Sequence, residues 1–71
     1  MVRLKMEINF IHRPKRVFQY ETYVTMDDGG RDVYTWCWLT LGQIGERWDY
    51  SKGWYKIRNE HDVLLFTLRW R

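Results

Sequence analysis

The sequence predicts a small domain of the α+β class that is mostly β, an antiparallel five-stranded sheet or partly open barrel with one short helix. Three observations predict it. Runs of alternating polarity recur along the chain, turn-forming residues stand between them, and the runs are rich in aromatic and β-branched side chains. The expected order is β-β-β-α-β-β over residues 1–71, read as one domain.

The first strand is expected at residues 4–10, where Leu4, Met6, Ile8 and Phe10 alternate with Lys5, Glu7 and Asn9. Period two sets one side of a strand against a core and the other in water. The second begins at Phe18, with Tyr20, Thr22, Val24 and Met26 on one side and Gln19, Glu21, Tyr23 and Thr25 on the other. An odd-length loop keeps the two apolar sides on one face, and residues 12–16 supply it with Arg13, Lys15 and Arg16 at a basic hairpin tip.

Asp27-Asp28-Gly29-Gly30 suits a two-residue type I′ turn, which needs positive φ at both central positions. A third strand is expected at residues 31–39. Parity then puts Val33, Thr35, Cys37 and Leu39 on the core face, with Tyr34, Trp36 and Trp38 on the opposite face beside Tyr23. Thr40 and Gln43 have capping-box spacing, and Leu41, Ile44 and Trp48 share a helical face, so a short helix is expected at 41–48. Ser51-Lys52-Gly53 reads as a turn, followed by a hairpin of residues 54–58 and 63–70. The expected core is Phe18, Tyr20, Val24, Val33, Leu39, Ile57, Leu64, Phe66 and Leu68.

Composition limits the function classes. A chain of 71 residues buries only about 60% of its unfolded surface, so it needs large side chains, and 18% aromatic content supplies them. The same content excludes a disordered chain. No apolar run approaches the length of a membrane span, and Met1-Val2-Arg3-Leu4-Lys5 leads into no signal-peptide core, so no membrane partner is expected. The single cysteine, Cys37, can staple nothing within the chain, which favours a cytoplasmic setting. Net charge is +3, with basic ends and an acidic middle.

Catalytic signals are sparse. Cys37 lacks an activating neighbour and reads as a small hydrophobe. Glu60-His61-Asp62 could hold a metal or move a proton, yet it also reads as a solvated polar loop. No enzyme, cofactor or metal is expected.

The order strand-strand-strand-helix-strand-strand resembles that of the OB-fold. That resemblance implies oligonucleotide binding across the strand 2–3 face. Here that face would carry Tyr23, Tyr34, Trp36 and Trp38 as stacking rings, with Arg13, Lys15 and Arg16 at its rim. If the helix instead covers Trp36 and Trp38, both faces are core. Glu21, Asp27, Asp28 and Asp32 share or flank the face and repel phosphates. They tip the expectation to a protein-binding module, an inhibitor or accessory protein of phage or mobile-element type that occludes its partner through aromatic and Arg hot spots. Single-stranded nucleic-acid binding is the alternative. An exposed edge on the last strand makes a homodimer a further expectation.

Overall fold

A computed structural model describes residues 8–24 and 31–70. Its elements are β1 (Ile11–His12), β2 (Tyr20–Tyr23), α1 (Arg31–Leu41), β3 (Trp48–Ser51), β4 (Trp54–Ile57) and α2 (Glu60–Trp70). The four strands form one antiparallel sheet in the order β1-β2-β4-β3. The α+β class stands. The five-stranded, OB-like order does not, because two of the expected strands are helices of 11 residues each.

The first correction is residues 31–39. Their buried members are Val33, Cys37 and Leu41, spaced at i, i+4 and i+8, which is one stripe of a helix. Thr35 and Leu39, expected on the core face of a strand, are exposed. The β-branched and aromatic content that suggested a strand costs only a few tenths of a kcal/mol per residue in a helix, so tertiary burial decides. Gly42 at φ 93° ends the helix in the left-handed conformation favoured at that position.

The second correction is the helix expected at 41–48. Residues 42–47 instead form a compact connection, closed by Gly45 N–H to Trp48 O (2.7 Å) and Glu46 N–H to Gln43 O (3.3 Å). Trp48 opens a strand, and its indole N–H donates to Gly42 O at 2.8 Å. The third correction is residues 63–70, which belong to α2. Here Asp62, Phe66 and Trp70 make the buried stripe. Asn59 precedes the helix, and its carbonyl accepts the first helical bond from Val63 N–H at 3.1 Å. The strand edge expected to join two copies is therefore absent, and that route to a homodimer has no strand behind it.

The β3–β4 hairpin holds the type I′ geometry. Lys52 and Gly53, at φ 49° and 89°, are its two central residues. The turn expected at 27–30 lies outside the described residues, as does most of the first strand. The β1–β2 register pairs Ile11 with Glu21 and His12 with Tyr20, which leaves a seven-residue loop rather than the expected five. Its length is still odd, and the even residues of β2 still face the core.

Both helices cover one face of the sheet. That face carries Tyr20, Thr22, Trp48, Tyr50, Tyr55 and Ile57. The core they build includes Val24, Val33, Cys37, Leu41, Trp48, Tyr55, Ile57, Phe66 and Trp70. Val24, Val33, Ile57 and Phe66 match expectation, and Phe18 and Tyr20 are half-buried. Leu39, Leu64 and Leu68 are corrections, being 83%, 55% and 53% exposed. A strand parity had put them inward, whereas the helical turn carries them out.

The outer edge of β3 is closed by the chain itself. Ser51 and Trp54 flank a two-residue turn as a hydrogen-bonded pair, so the N–H of Tyr50 and the C=O of Trp48 point away from β4. Tyr50 N–H donates to Asp49 Oδ1 at 2.8 Å, and Trp48 O accepts from Gly45. These bonds occupy groups through which another strand would pair.

Candidate functional site

Helix α1 separates the rings that a strand would have kept on one face. At about 100° per residue, positions 34, 36 and 38 diverge. Tyr34 turns to β3, edge-on to Trp48 (5.2 Å) and Tyr50 (5.5 Å). Trp38 also meets Trp48, at 6.4 Å, and stays 39% exposed. Trp36 turns to α2, edge-on to Phe66 (5.9 Å) and Trp70 (6.3 Å). Tyr23 lies on the opposite face of the sheet from all three.

Trp36 and Trp70 line a surface groove of about 540 Å³ between α1 and the end of α2. Arg31, Thr35 and Leu39 reach it from one row of α1, Asp32 and Trp36 from the next, and Arg69 from α2. The Arg69 guanidinium carbon sits 4.3 Å from the centre of the Trp70 ring, within cation–π range. Leu39 is the most exposed of the large apolar side chains described. Sequence reasoning placed none of Leu39, Arg31, Arg69 and Trp70 in the site; the first three are exposed and Trp70 is buried at the base of the groove. Their signal was available: 31, 35 and 39 repeat at helical spacing.

The basic tip forms, but two of its charges are drawn inward. Arg13 Nε donates to Glu21 Oε1 at 2.5 Å, and Arg16 Nη1 lies 4.0 Å from Glu21 Oε2. Glu21 is buried beneath them, while the two arginine side chains remain 44% and 60% exposed. Lys15 is exposed in the same loop.

Tyr23 is partnered by a residue that sequence reasoning had left out of the site, Trp54, at 5.3 Å and an interplanar angle of 61°. Both side chains occupy the uncovered face of the sheet. The hairpin register brings them together, and no local pattern announced it.

The polar cluster at 60–62 is taken apart. Asp62 is buried, whereas Glu60 and His61 are exposed. Arg47 grips the Asp62 carboxylate through two nitrogens, Nε at 3.0 Å and Nη2 at 2.5 Å, and Asn59 adds a bond at 3.3 Å. Arg47 holds the carboxyl below its ordinary range, against the opposing effect of burial, with Asn59 and the neighbouring charges adding smaller pulls. The pair ties the α1–β3 connection to the first turn of α2. Among the described residues no cluster of three or more His, Cys, Asp or Glu side chains could hold a metal. Burial pushes the Cys37 thiol up to about 12. No described helix is long and apolar enough to cross a membrane.

Comparison with protein-family models, curated proteins and solved structures returns no match.

Proposed function

We propose that this chain is a non-enzymatic protein-binding module, an inhibitor or accessory protein of the kind carried by phages and mobile elements. It acts in the cytoplasm by occluding a partner. The observation that carries this reading is the groove between α1 and α2, with Leu39 almost fully exposed at its rim. Trp, Leu and Arg side chains around a concavity supply an apolar anchor point and a polar border, the pattern of interface hot spots. Trp38 on the same helix extends the apolar surface. Arg31 and Arg69 beside the aromatic lining favour a partner segment that presents an apolar side chain next to a carboxylate.

Trp36 is a poor residue for testing this, because its ring also packs on Phe66. Leu39→Glu and Arg69→Glu change exposed positions. The wild-type protein and both variants, each checked for native circular dichroism, are used for affinity capture from the native host after nuclease treatment. A protein retained by the wild type and lost with both variants is the expected result. A partner set that neither variant changes would remove the groove as the docking site.

A further inference from the structure

We propose that the uncovered face of the sheet binds single-stranded nucleic acid, at a place separate from the helix-side groove. Both helices lie on the other face. The uncovered one carries Ile11 and Glu21 with Lys56 and Asp49 on one rung, and Tyr23 with Trp54 and Ser51 on another. No described element covers it.

Two features of this face fit a base and its phosphate. The first is a fixed aromatic pair. The Tyr23 ring lies so close over Gly53 that a Cβ there would sit 2.7 Å from Tyr23 Cε2. Trp54 braces it edge-on. Tyr23 nonetheless stays 51% exposed, so its ring is positioned and open for stacking. The second feature is charge. Glu21 is a buried carboxylate that gathers Arg13 and Arg16 above it. Arg13 uses its Nε there and its side chain stays 44% exposed, so the guanidinium keeps donor capacity for a second anion.

Lys56 pairs with Glu21 across the strands, and Arg58, exposed just beyond β4, lies with its guanidinium 5.5 Å from the centre of the Phe18 ring. Lys15 and Lys52 stand in the loops at the two ends. Two strand positions separate the Tyr23 rung from the Glu21 rung, about 7 Å. A phosphate held by the arginines therefore leaves its base within reach of the ring.

Of the described acids expected to repel phosphates, none presents an unpaired carboxylate on this face. Asp32 sits on α1, across the sheet, and Glu21 is covered by its arginines. Asp27 and Asp28 lie outside the described residues. Asp49 is a second acid on this face, at the β3 edge, where its carboxylate accepts from Tyr50 N–H. Charge complementarity thus favours a strand running along β1, β2 and β4. The rings favour bases over an unadorned polyanion.

The test is titration of a fluorescent oligothymidylate with the full chain at several salt concentrations, with heparin as a competitor that lacks bases. Binding is expected, its logarithm falling linearly with the logarithm of salt. Tyr23→Ala is expected to weaken it about ten-fold or more, while Tyr23→Phe retains it. Arg16→Glu is expected to lower the salt slope by about 0.7 or more. Leu39→Glu is expected to change nothing, which separates this site from the groove. Absence of binding at low salt overturns the proposal. So does binding that a folded Tyr23→Ala variant leaves intact, which would be polyanion adsorption, and so does loss of binding in Leu39→Glu.

Discussion

Thr22 is a buried residue whose hydroxyl finds no hydrogen-bond partner among the described residues. A buried, unpaired hydroxyl is a penalty that a methyl group of similar size removes. Thr22→Val is expected to raise stability by about 1 kcal/mol, read from the urea midpoint at constant m. A lowered midpoint would mean that the hydroxyl is bonded. Asp62 presents the opposite case. Its carboxyl is depressed in the folded state, so its contribution is complete above the unfolded carboxylate value of about 3.9 and is lost as pH falls through the folded value. Asp62→Asn is expected to cost about 1–2 kcal/mol at neutral pH, a figure reduced because Arg47 is 44% exposed. The variant should also lose less stability than the wild type on acidification to roughly pH 2. Parallel acid limbs in the two urea series would rule this out.

The two helices separate burial from composition. Phe66→Ala is expected to cost about 3–5 kcal/mol, because the ring is fully buried against Tyr55, Trp36 and Phe10. Leu64→Ala and Leu68→Ala on the same helix should each cost less than about 1 kcal/mol, since both side chains are more than half exposed. Equal costs at the three positions would restore a strand over 63–70. The comparison also shows what could be read from the chain alone. The even residues of β2, the turn at Lys52 and Gly53 and the strand over β4 were legible, because alternation and positive-φ turn chemistry are local signals. The helices were not. Tyr34-Thr35-Trp36-Cys37-Trp38 fits both periods, and the choice falls to Leu41 and Gly42, just beyond the window that had been read as strand. Asp62 had been placed in a turn, and its role in the buried stripe of α2 depends on Arg47, fifteen residues away. Of the candidate site, the basic loop and the outward side of Tyr23 were legible, whereas the sequence left open whether Trp36 and Trp38 are exposed or covered. The pairing of Tyr23 with Trp54 was not, because it arises from a non-local register.

Across the whole molecule the core thiol offers a probe of opening. Cys37 is fully buried and its thiol is pushed up to about 12, so thiolate is scarce at neutral pH and access needs the helix to leave the sheet. Alkylation followed by mass spectrometry should be slow in buffer and rapid in denaturant. Rapid native labelling would place Cys37 outside the core. The sheet order β1-β2-β4-β3 carries a consequence of another kind, for synthesis. β2 borders only the two-residue β1 until β4 arrives, and β4 is made after both α1 and β3. On the ribosome, β3 has no partner strand until β4 emerges to join it to β2. Helix α1 has no completed sheet to shield its Cys37 stripe. Nascent chains stalled before residue 54 should be digested by protease as readily as unfolded polypeptide, and resistance should appear in one step once β4 and α2 have left the exit tunnel. The fold is thus an all-or-none product, acquiring both of its faces only once β4 and α2 are in place.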